Sequence, residues 1–224
     1  MWPLSDRVAC AGAAAPVARG FEKLSVKNDN DALFEGPAMP ENGDAQVDDL
    51  RSAFCDALRN CTSLQILGMR DVNLWADTTA ASQLIAAMEG LPALNVVQLS
   101  QNHTDGRPAV QRAAGECMAR LIAHSSSLRD LELNGNDLGV AGMTPIFEAL
   151  RCTSTLTELS LREEQFSPEF VRDVVLPAVR ANTSLRNLEG LRLVNAGEEK
   201  KELLPELQEV EDILAARRLA DTDA

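Results

Sequence analysis

The feature that most narrows the fold of this chain is periodic. In SSLRDLELNGNDLGVAGM, Ser126–Met143, leucines stand at Leu128, Leu131 and Leu133, followed by Asn136 and Leu138. The pattern LxxLxLxxNxL recurs. Leu94, Val97, Leu99, Asn102 and Thr104 repeat it with conservative exchanges. Leu64, Leu67, Met69, Val72 and Leu74 repeat it without the asparagine, as do Leu156, Leu159, Leu161, Glu164 and Phe166. Leu185 and Leu188 open a fifth copy that leaves register, and a slip of three gives Leu188, Leu191 and Leu193. Successive opening leucines lie 30, 34, 28 and 29 residues apart. A near-constant period of this length marks stacked units, none of which can bury its apolar face alone.

Each unit reads as a short strand followed by an amphipathic helix. The LxLx segment sends alternate side chains to one face of a strand. Ala81, Leu84, Met88 and Leu91 follow at helical spacing, with Asp77 as N-cap and Gly90 as the residue after the helix. Pro108, a good first helical residue, precedes Val110, Ala114, Cys117 and Leu121. Met143, Ile146, Phe147 and Leu150 follow Gly139. Ser167-Pro168 opens another helix containing Val171, Val174 and Val175, which Pro177 should kink or end. RNCTSL, RCTSTL and RANTSL mark helix-to-strand turns. They place Cys61 and Cys152 as buried turn residues and Asn60 and Asn182 at helix ends. Asn102 and Asn136 are read as satisfying backbone groups at the strand-to-helix bend, and Trp75 as packing.

The registered copies resemble the leucine-rich repeat family, in its long ribonuclease-inhibitor-like subtype, over roughly Val47–Leu193. The resemblance implies an α/β solenoid, a horseshoe segment with a parallel concave sheet and convex helices. The ends of the array differ from its middle. Residues 1–46 are expected to be disordered or loosely packed, with a degenerate strand at Phe21-Leu24-Val26 and a polar loop over Asn28–Ala45. Residues 47–197 hold the array, opened by a capping helix through Val47, Leu50, Phe54 and Leu58. Residues 198–224 carry nine acids against four bases and read as a capping helix through Leu203, Leu207, Val210 and Leu214.

Charge bounds the partners. The net charge of −13 argues against nucleic acid, which needs clustered Lys and Arg, and against anionic membrane surfaces. No apolar run approaches the roughly 20 residues of a membrane helix. Five cysteines with no CxxC form neither a disulfide framework nor a zinc site, and point to buried thiols in a reducing compartment, cytoplasm or nucleus. Three N-x-S/T sequons, at Asn60, Asn102 and Asn182, are expected to carry no sugar.

Chemistry is sparse. His124 lies seven residues after Cys117, so a Cys–His pair on one helix face is conceivable, but an orienting third group is missing and Cys117 also fits the core face. No phosphate loop, dinucleotide fingerprint or calcium loop appears. The expectation is a protein without catalytic, cofactor or metal residues. It would be a scaffold or adaptor binding a partner protein through the concave face. Two other readings remain: a regulator of a GTPase or other enzyme, from the pairing of repeats with an acidic C-terminal region, and a subunit or fragment of a larger repeat protein. In the strand register, positions three, five and seven point away from the core. They place Asp130, Glu132, Asn134, Glu158, Ser160 and Arg162 on one patch, with Glu163 beside it and Arg70 and Arg192 at its margins. Such a patch suits a basic segment of a partner.

Overall fold

The computed structural model describes residues 22–27, 44–193 and 205–222. The segment 1–46 contributes an edge strand, β1 (Lys23–Lys27), and the start of α1 (Asp44–Arg59). There follow β2 (Ile66–Arg70), α2 (Thr78–Glu89), β3 (Val96–Gln98), α3 (Pro108–His124), β4 (Asp130–Glu132), α4 (Gly139–Leu150), β5 (Glu158–Ser160) and β6 (Gln165–Phe166). A helical stretch comes next: α5 (Pro168–Phe170), a π-helical turn over Val171–Val175, and α6 (Leu176–Ala181). Then come β7 (Asn187–Glu189), β8 (Arg192–Leu193) and α7 (Pro205–Thr222). Leu203, Val47 and Leu50, assigned to capping stripes above, have side chains outside the described residues, as does Arg192. So does most of the polar loop read over Asn28–Ala45.

The strands form an open six-stranded parallel sheet in the order β1-β2-β3-β4-β5-β7, and β6 pairs with β8 in a small second sheet. Of the architecture expected from the resemblance, this mixed α/β arrangement with a parallel sheet is what the structure contains. The register aligns Leu67, Val97, Leu131, Leu159 and Leu188 across the sheet. The fifth copy is therefore unslipped at its strand. The departure comes afterwards at Gly190, whose φ of 87° admits only glycine at ease and where an added Cβ would lie 2.4 Å from the Arg162 backbone nitrogen. All the repeat leucines from Leu64 to Leu185 are buried, in one core shared with the inward faces of the helices.

Buried side chains hold the bends between strand and helix. Asn102 Oδ1 accepts from the Val72 and Leu74 amides, while its Nδ2 donates to the Met69 and Leu99 carbonyls. Asn136 Nδ2 donates to Leu99 and Leu133 in the same way, and its Oδ1 accepts from the Trp75 indole at 2.8 Å. Trp75 thus ties its unit to another unit by a polar bond as well as by packing. In the next unit the buried Glu164 takes the asparagine's place and accepts from the Leu138 and Gly139 amides at the start of α4. Burial pushes this carboxyl above its ordinary range. One left-handed residue sits at the same point of each bend: Asp71, Gln101, Gly135 and Glu163, with φ between 55° and 75°.

Local signals were realised with three departures. Asp77 Oδ1 caps α2 by accepting from Thr79 and Ala80 amides, and Pro108 opens α3. Gly90 is the C-cap but has φ −91°, so no left-handed turn requires glycine there. Pro177 neither ends nor breaks its helix. The π turn before it shifts the hydrogen-bond frame, and a wider turn removes the need for the amide that proline lacks. Cys61 is buried as expected, but Cys152 is exposed, because its turn faces outward at the end of α4. Asn182 is buried and caps the turn after α6, accepting from Ser184 and Leu185 and donating to Leu150 and Thr153.

The α3–α4 contact is the closest in the helical layer. A methyl added at Gly115 would lie 2.0 Å from the Gly142 carbonyl oxygen. Gly115→Ala should therefore force the helices apart and cost about 1–3 kcal/mol or more in reversible urea unfolding. Leu131 and Leu133 are fully buried in the middle of the core. Either leucine changed to alanine should cost roughly 2–5 kcal/mol in the same measurement.

Candidate partner-binding face

The strand face opposite the leucines is built by the sheet register. One row across β4, β5 and β7 holds Asp130, Glu158 and Asn187, and the next holds Glu132, Ser160 and Glu189. Parallel strands lie about 4.8 Å apart, so these side chains are neighbours. Together with Asn134, Arg162 and Leu159 they line one open depression of ≈ 220 Å³. Asp130, Glu132, Asn134, Glu158, Ser160 and Arg162 are thus brought together. Arg70 is not among them. It lines an adjoining depression with Ser25, Gly68, Gln98 and Ser100, and Glu132 borders both. Glu163 lies past the strand end, in left-handed backbone, and accepts from Gln101 Nε2 at 2.9 Å.

The acids of this face are not equivalent. Glu132 is held by Ser100 Oγ (2.5 Å), Asn134 Nδ2 (3.0 Å) and Gln98 Nε2 (3.2 Å). Asn134 in turn accepts from Ser160 Oγ and the Arg162 amide. Arg162 closes over Glu189 at 2.7 Å. Asp130 and Glu158 have no side-chain hydrogen bond or ion pair among the described residues. Burial pushes the Asp130 carboxyl above its usual range, and the neighbouring Glu158, Glu132 and Glu189 push it further. Asn187 and Glu189 were absent from the sequence reading. The unslipped frame from Leu185 and Leu188 carries them at the third and fifth positions, and the competing slipped frame hid them.

The Cys117–His124 pairing does not form a nucleophilic site. Cys117 is a buried thiol whose pKa burial raises, whereas His124 is exposed and meets Glu89 at 3.3 Å. Arg120 also binds Glu89, and these contacts join α3 to α2. Among the described residues no group of three or more His, Cys, Asp or Glu is placed to hold a metal ion. No helix among them is long and apolar enough to cross a membrane.

The fold is similar to that of a tropomodulin C-terminal domain. The structure in question, from Caenorhabditis elegans, superposes with a TM-score of 0.58 at 18% identity, over 78% of this chain and 99% of that one. A second similar structure is described as leiomodin-1 actin-binding site 2, with a TM-score of 0.59 at 16% identity, over 83% of this chain and 94% of that one. No protein-family model and no curated protein matches the chain. The assignment to the ribonuclease-inhibitor-like leucine-rich repeats is therefore corrected. The leucine spacing specifies a strand–bend–helix unit and its stacking, and tropomodulin-like domains satisfy the same demand. The departures at Val72, Glu164 and Gly190 fall where a uniform array would not have them.

Asp130 supplies a test of the face's electrostatics. Its folded pKa is raised, so the folded state holds the proton more tightly than the unfolded chain. That contribution is fully present below the unfolded value and is lost as pH rises through the folded one. Asp130→Asn should therefore leave stability unchanged in strong acid and raise it at neutral pH by roughly 0.2–1 kcal/mol, the range for cross-strand charge pairs. Urea unfolding of both proteins across pH 3 to 8 reads the difference, and an equal difference at every pH would refute the account.

Proposed function

We propose that this chain is a non-enzymatic protein-binding module that docks its partner on the acidic sheet face. The observation that carries the reading is the Asp130–Glu158 pair: two neighbouring carboxylates without compensating partners among the described residues, beside Glu132, Asn134, Ser160 and Arg162, which are tied by hydrogen bonds. Like charges side by side cost stability, and a basic segment of a partner would remove that cost on binding. The sheet beneath is rigidly built, so little ordering is required of this side. One of the similar structures is described as an actin-binding site, which makes actin the first partner to test. A reducing compartment, cytoplasm or nucleus, suits the described cysteines, which are all free thiols.

The test is charge reversal at the two unpaired acids. Glu132 is left intact, because its three hydrogen bonds make it part of the sheet's own structure. Asp130→Lys with Glu158→Lys should weaken capture of actin monomers or filaments by about tenfold or more, equal to about 1.4 kcal/mol. The melting temperature should stay near that of the wild type. Binding of the wild type should weaken steeply with salt, and that of the variant should not. Unchanged affinity with unchanged salt dependence would place the binding surface elsewhere. No binding of the wild type to actin would remove actin and leave the face to be tested with other basic proteins.

A further inference from the structure

The sheet repeats one hydrogen-bond motif at each strand entry. The Glu22 carbonyl accepts two successive backbone amides of the next strand, Gln65 and Ile66. The Gln65 carbonyl does the same for Asn95 and Val96, the Asn95 carbonyl for Arg129 and Asp130, and the Arg129 carbonyl for Thr157 and Glu158. The Thr157 carbonyl accepts from Arg186 and Asn187, at 2.7 and 3.0 Å. The series continues to the Arg186 carbonyl, on the outer side of β7, the last strand of the sheet among the described residues. There the acceptor is taken by a side chain. Arg218 of α7 donates Nη1 to the Arg186 carbonyl at 2.7 Å. Its Nη2 is held by Glu211 on the same helix. The adjacent Arg217 donates to the carbonyls of Leu185, Val179 and Asn182.

We infer that Arg218 stands in for the amide pair of a missing next strand, so that α7 plugs the sheet edge against a second copy of this chain. A guanidinium is a fork of N–H donors, and here Nη1 alone occupies the carbonyl that at each internal strand pair accepts two peptide amides. An uncovered edge strand is a template for pairing with another chain. The fitting occupant is β1 of a second copy. β1 is the opposite edge of the same sheet and runs parallel to β7, so its addition would repeat the geometry found at every internal strand pair. The contact would be heterologous, β7 of one copy with β1 of the next, and would not close into a symmetric dimer. Alternation in a parallel ladder turns the Ser25 amide away from β2, toward the side such a contact would use.

The experiment is mass against concentration for the full chain, by light scattering coupled to gel filtration. The wild type should stay at its monomer mass of 24.2 kDa. Arg218→Ala should rise with concentration to about twofold the monomer mass and beyond, without a plateau, as open-ended association requires. Arg180→Ala breaks another α7 contact, the Arg180–Glu209 pair, away from the edge, and should remain monomeric. Adding Ser25→Pro to Arg218→Ala should return the protein to monomer, since proline is tolerated on an edge strand but blocks pairing there. A folded Arg218→Ala that stays monomeric overturns the proposal, as does association that survives Ser25→Pro. Loss of the native circular dichroism signal in Arg218→Ala would also overturn it, because the proposal gives this residue an edge role and not a core role.

Discussion

Everything in this fold depends on satisfying the backbone where each strand turns into its helix. The turn is buried, so its amides and carbonyls cannot use water, and an unpaired buried group costs as much as a lost hydrogen bond. Asn102 and Asn136 solve this with one side chain that both donates and accepts, and Asn182 does the corresponding work at the turn after α6. Glu164 solves half of it. A carboxylate can accept from the α4 amides but, when ionised, has nothing to donate. Burial raises its pKa, and the amide hydrogen bonds it accepts at the bend offset that rise only in part.

Once the bends are fixed, the leucine faces and the helices share one core, and the opposite strand face is left to polar residues. There the register itself creates the interaction between acids that are far apart in sequence. Asp130 and Glu158 are 28 residues apart in the chain and adjacent in the sheet. The sheet closes part of this surface on itself through Glu132, Asn134, Ser160 and Arg162. What remains open is narrower than the charge of the face suggests.

The repeat spacing made the parallel sheet, its strand order and the buried leucines legible in the sequence, because a period-two strand pattern has only one face to bury. The asparagine column was legible for the same reason: a polar residue recurring among buried leucines needs a backbone role. Three features were not legible. The choice between two frames at Leu185–Leu193 is decided by a backbone-to-backbone approach at Gly190, which no local pattern encodes. The π turn before Pro177 is a response to the proline that composition alone cannot distinguish from helix termination. Most of all, the subtype could not be read from the leucines, since stacking of strand–helix units is a demand that more than one family meets. At the candidate site the sequence supplied the residues, but it could not separate Glu132, locked by three donors, from Asp130 and Glu158, which are not.

The bonds of the asparagine column have a direction. Asn102 reaches back to Met69, Val72 and Leu74, Asn136 back to Leu99 and Trp75, and Glu164 back to Leu138 and Gly139. Each bend is therefore locked by a residue that the ribosome makes about one unit after the bend itself. For a chain growing at about 5–20 residues per second, a unit of some thirty residues leaves each new bend unsatisfied for roughly 2–6 s. Nascent folding of this protein must trail its own synthesis by one unit, with the most recent apolar strand always waiting on the next.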